Sequence, residues 1–85
     1  MTLTAPDWLT RHDGSIKLGS DGTTWYVLLG SQPQYALMPR PIGNHFGCHI
    51  KQTNNGRIVA TTGALPRHED ALKEGLEQLR KVLGW

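Results

Sequence analysis

Leu72, Leu76, Leu79 and Leu83 recur at i, i+4, i+7 and i+11, one apolar stripe at helical period. Pro66 suits the first turn of that helix, because its fixed φ is already helical and the N–H it lacks would have no intrahelical partner. Glu69 and Asp70 then stand near the positive end of the helix dipole, and Arg80 and Lys81 near the negative end. Glu69 with Lys73 and Glu77 with Lys81 are favourable i, i+4 pairs. Gly75 costs about 1 kcal/mol against alanine inside a helix, which makes sense where the helix must come close to a sheet. Gly84 suits a cap, leaving Trp85 either to fold back or to project.

Upstream the period changes from helical to alternating. Residues 23–29 are rich in β-branched and aromatic side chains and end at Gly30, as a central strand would. Residues 16–18 precede them across Gly19, Ser20, Asp21 and Gly22, and Asp-Gly between two β-prone runs signals a hairpin. Residues 34–38 read as a third strand after a turn at residues 31–33. Pro39 and Pro41, which have no N–H to give a ladder, should stop it. Residues 42–45 then form a loop into a strand at 46–53, which pairs through Asn54, Asn55 and Gly56 with a strand at 57–61. Residues 1–13 read as an irregular N-terminal tail, with one helical turn at residues 6–9 where Trp8 and Leu9 pin it to the body.

The register of the last hairpin follows from its faces. A two-residue Asn55-Gly56 loop would mix apolar and polar positions. A three-residue loop instead puts Phe46, Cys48 and Ile50 on one side with Ile58 and Ala60, and places Gly56 at the left-handed position. His45, His49, Lys51, Thr53 and Arg57 then share the opposite face. The expected fold is α+β: a four- to five-stranded antiparallel β-meander with one C-terminal α-helix packed on one face. Leu72, Leu76, Leu79 and Leu83 should meet Phe46, Ile50, Ile58 and the 23–29 strand.

Composition narrows this picture. Eighty-five residues suit one domain, here residues 14–85 behind the tail. A hydrophobic fraction of 38% is below the usual ~45–50%, so the core is thin. A net charge of +2 is far from the dense basic runs that announce nucleic-acid binding. One cysteine leaves no internal disulfide and no zinc site built on two thiolates. The first residues have neither a basic n-region nor an apolar h-region, and the longest apolar run, residues 25–29, is far short of the ~20 needed to span a bilayer. The expectation is a soluble, cytoplasmic protein without membrane contact.

Candidate chemistry is sparse. In His45-x-x-Cys48-His49 the cysteine of a strand points away from both histidines, which argues against a metal site and against a Cys–His nucleophile pair. The acidic residues of the helix are a solvated face rather than carboxylates converging on a cleft. Gly43-x-x-x-Gly47 lacks the GK[ST] of a phosphate loop. No catalytic residue, cofactor or metal is expected. The remaining candidate is a basic, partly aromatic sheet face of His45, His49, Lys51 and Arg57, joined from neighbouring strands by Tyr26, Tyr35 and Arg40.

Phe46, Ile50 and Lys51, the Asn55-Gly56 turn, Ile58-Val59-Ala60-Thr61, Ala71-Leu72, Gly75-Leu76-Glu77 and Arg80-Lys81 together resemble the bacterial YegP-like family, over residues 46–81. Modules of that family run from a strand with an aromatic start through an Asn-Gly turn to a second strand and a helix with a basic end. The resemblance implies this topology alone. The functional expectation is a small non-enzymatic interaction module, its partner an unknown protein or a second copy of the chain. The alternative is sequence-tolerant nucleic-acid binding through the basic and aromatic sheet face.

Overall fold

The computed structural model describes residues 3–85. A single helical turn, α1 (Asp7–Thr10), precedes five strands and a long helix: β1 (Gly14–Leu18), β2 (Trp25–Leu29), β3 (Gln32–Ile42), β4 (His45–Gln52), β5 (Ile58–Thr61) and α2 (His68–Leu83). The strands form one sheet in the order β1-β2-β3-β4-β5, every neighbouring pair antiparallel, so the sheet is a meander. The fold is α+β with the C-terminal helix packed on one face, as the sequence pattern predicts.

A five-stranded sheet is about 19 Å wide at ~4.8 Å per strand, while a helix with its side chains is only ~10 Å across. One helix therefore leaves part of the face bare. Helix α2 packs over β3, β4 and β5, and α1 packs against β1. Leu3 and Leu9, from the segment read as an irregular tail, are buried in one cluster with Trp25, Val27, Leu37, Cys48, Ile50, Leu72, Leu76 and Leu79. The N-terminal segment is thus part of the core, needed because α2 is too narrow to close the sheet alone. Gly14 fits against it: a Cβ there would lie 2.3 Å from Leu9 Cδ1 and 2.8 Å from the Leu9 carbonyl oxygen.

Pro39 and Pro41 do not stop the third strand; β3 runs eleven residues through both. Gly43 has φ +59° and Asn44 a negative φ, so the two make a tight primed turn of the kind with a positive φ at its first position. It closes on Ile42 and His45, which makes them a hydrogen-bonded pair and puts Pro39 and Pro41 at the alternate positions, opposite Cys48 and Phe46. The missing N–H groups then point toward β2, whose pairing with β3 has already ended at Trp25 and Leu37. The prolines sit on what is locally an edge, where they cost no ladder bond.

The last hairpin also departs from the expected register. Gly56 is left-handed (φ +70°), but the loop closes on Gln52 and Arg57, the Gln52 amide donating to the Arg57 carbonyl at 2.8 Å. A bulge then lets Ile50 face Ala60 while Lys51 faces Ile58. Ile58 therefore lies on the side of the sheet away from α2, 50% exposed, and Val59 and Ala60 pack toward the core in its place.

Leu65 bridges Phe46 in extended conformation, so α2 begins at His68 after an extended Arg67 rather than at Pro66. It ends on Gly84 in the left-handed region, with Gly84 N–H bonded to the Lys81 carbonyl and Trp85 N–H to the Arg80 carbonyl, a Schellman pattern. Glu69 pairs with Lys73 at 3.3 Å, whereas Glu77 pairs with Arg80 rather than Lys81.

Candidate functional site

Strand alternation assigns the face opposite α2 without ambiguity. Cys48, Ile50, Leu37 and Val27 point to the core. Their neighbours along each strand point out, and the pairings line them up in rows across the sheet. One row runs Lys17, Tyr26, Ala36, Lys51, Ile58, each residue directly opposite the next. A second runs Met38, His49, Thr61, and beyond it Arg40 faces Gly47 and Ile42 faces His45.

This face has one sign of charge. The seven acidic residues are Asp7, Asp13, Asp21, Glu69, Asp70, Glu74 and Glu77, and none lies in a strand. The strands carry Lys17, Arg40 and Lys51 with His45 and His49. The cations on and beside α2 are mostly paired with its acids: Arg67, just before the helix, with Asp70 at 3.5 Å, Lys73 with Glu69, and Arg80 with Glu77. The Arg80 hydrogen bond holds the Glu77 carboxyl below the usual carboxylate range. Asp21, in the connection between β1 and β2, is committed to its own turn. Its carboxylate accepts from Thr23 N–H (3.0 Å), Thr24 N–H (2.9 Å) and the Thr24 hydroxyl (2.6 Å), which lowers its pKa to about 2.

Five of the seven candidate residues share the open face: Tyr26, Arg40, His45, His49 and Lys51. They are not all together, because Lys51 lies six residue steps along β4 from His45, about 20 Å at the rise of a strand. Arg40 and His49 do meet, the guanidinium Nη1 donating to His49 Nε2. Tyr35 and Arg57 leave the set. Tyr35 lies opposite Val27 and Gln52, on the helix side, and packs against the core. Arg57 lies opposite Gln52 because the loop is one residue longer than expected, and Ile58 takes the place beside Lys51. Lys17, outside the expected set, also belongs to the face. The signal was available in the Asp21-Gly22 hairpin, whose register sets Lys17 against Tyr26.

Ala36 points to the open face yet is only 5% exposed, at the floor of a groove between Tyr26 and Lys51 whose other walls include Thr24 and Met38. A second groove lies on the far side of Tyr26, bounded by Lys17, Leu18, Leu28 and Pro33. Tyr26 is therefore a partition between two depressions.

On the other face, Cys48 is buried beneath α2, and burial pushes its thiol up to about 12. It stays protonated at neutral pH, and the nucleophilic form of a cysteine is the thiolate. Cys48 and His49 face opposite sides of β4, and among the described residues no three His, Cys, Asp or Glu side chains are grouped to hold a metal ion. No described helix is long and apolar enough to cross a membrane. No protein-family model, curated protein or solved structure matches this chain.

Proposed function

We propose that this protein is a small non-enzymatic binding module whose open sheet face holds single-stranded nucleic acid with little sequence preference. The observation that carries this reading is the segregation of charge. Five strands present Lys17, Arg40 and Lys51 with two histidines and not one carboxylate, while the acids lie on the helices and connecting turns. Such a surface attracts a polyanion. Tyr26, Leu28, Met38 and Ile58 lie among those cations on the same face. A duplex offers mainly phosphates to such a surface, whereas a single strand also offers unstacked bases to its aromatic and apolar groups.

Self-association through the same face is disfavoured, since two copies would oppose lysine and arginine to lysine and arginine. The sheet edges, β1 with five residues and β5 with four, are short for strand addition. The test is fluorescence anisotropy of labelled oligothymidine and oligoadenine at increasing salt. Both should bind, with log K falling linearly in log salt at a slope of about −0.7 per neutralised phosphate. Absence of binding at low salt, or binding indifferent to salt, overturns the proposal.

A further inference from the structure

Resting on that reading, we infer that Lys17, Tyr26 and Lys51 form a single nucleotide-binding row, with a base in the Ala36 groove against Tyr26 and the flanking phosphates on the two lysines. The three residues are consecutive functional positions of one cross-strand row, with Ala36 between Tyr26 and Lys51. Lys17 and Lys51 are three inter-strand steps apart, about 14 Å at ~4.8 Å per step. The bound strand therefore crosses the β-strands rather than following one of them.

The residues between the lysines suit a planar ring. Ala36 is the smallest side chain in the row, and the space above it is walled by Tyr26 on one side and Lys51 on the other. Two glycines make the walls. A Cβ at Gly19 would lie 2.9 Å from Tyr26 Cε2, so that glycine gives the ring its place. A Cβ at Gly56 would lie 3.4 Å from Lys51 Cε and 4.0 Å from Nζ, so the lysine runs out beside the β4–β5 turn to the rim of the groove. The ammonium is at the rim, where a phosphate would be, and the aromatic and apolar surface is inside, where a base would be. Sequence tolerance follows, because every base has a π-face, the groove is lined by no carboxylate, and the oxygen of its one amide, Gln52, already accepts from the Asn55 side chain at 3.1 Å.

The experiment uses two probes, labelled oligothymidine and inorganic polyphosphate, the second having charge but no base. The wild-type chain should bind both. Tyr26→Leu should weaken oligothymidine binding at least about fivefold, the lower end of a base–aromatic stack, and leave polyphosphate binding unchanged. Tyr26→Phe, which keeps the ring, should bind as wild type. Ala36→Leu, which fills the groove without touching charge, should repeat the Tyr26→Leu pattern, and the melting curve of each variant establishes that it is folded. Lys17→Gln and Lys51→Gln should weaken both probes. If oligothymidine binds wild type and Tyr26→Leu equally, the row is wrong while the nucleic-acid reading stands. If the wild type binds neither probe, the nucleic-acid reading itself falls.

Discussion

Gly75 of α2 lies directly over Cys48 of β4: a Cβ at position 75 would come within 2.9 Å of Cys48 Sγ and 3.5 Å of Leu37 Cδ2. The helix–sheet distance in this core is thus set by a glycine against a thiol. Gly75→Ala gains about 1 kcal/mol of helix propensity. Overpacking a fully buried site costs about 1–3 kcal/mol, and Cys48, 1% exposed, has little room to turn away. The substitution should therefore leave stability unchanged or lower it by up to about 2 kcal/mol in denaturant melts, the net of these two effects. In a Cys48→Ala background the same change should stabilise. Stabilisation by the full propensity gain with Cys48 present contradicts the contact.

Leu79 and Ile58 separate the observed register from the expected one. Leu79 is fully buried, and Leu79→Ala should cost about 2–5 kcal/mol. Ile58 faces the open side, and Ile58→Ala should change stability by no more than about 0.5 kcal/mol. A large loss at Ile58 in urea unfolding would restore the register in which it sits under α2.

The Asp21 turn gives the fold a specific acid sensitivity. Its pKa is about 2 when folded against 3.8 for the free carboxyl, so it stabilises the native state above the higher value. That contribution is lost as pH falls through 2. The difference in Tm between wild type and Asp21→Ala should be constant above about pH 5 and shrink steadily below pH 4. A difference that stays constant down to pH 2 would mean the carboxylate bonds to Thr23 and Thr24 contribute nothing.

Trp85 stacks on His12 with centroids 3.8 Å apart and planes 6° from parallel, and meets Trp8 at 6.1 Å. The end of α2 therefore clasps the segment that carries Leu3 and Leu9. Trp85→Ala should lower stability by about 0.5–1.5 kcal/mol beyond the area it exposes. Amide exchange at residues 9–13, whose N–H groups bond within the α1 turn, should quicken with it. Unchanged exchange there would make the stack incidental.

The meander and α2 were legible because they rest on periodicity: the leucine stripe, the 23–29 strand and the Gly56 turn each carry a local signal. What misled was chemistry whose sign depends on neighbours. Pro39 and Pro41 read as breakers until it is known that β2 ends beside them. Asn54-Asn55-Gly56 marks a turn but leaves its length open by one residue, and that residue decides whether Ile58 or Arg57 stands beside Lys51. Of the candidate site, Tyr26, His49 and Lys51 follow from alternation alone. The absence of acids from the strands was already in the sequence, and acquires meaning only once the strands form one sheet with one open side.

The most direct test of the open face is an amide NMR titration of the labelled chain with a short oligothymidine at low salt. The expected shifts are confined to the rows holding Lys17, Tyr26, Lys51, His49 and Arg40, with α2 silent between Glu69 and Lys81, and they disappear on adding salt. Shifts centred on α2, or a spectrum that does not change, would contradict binding at the open face.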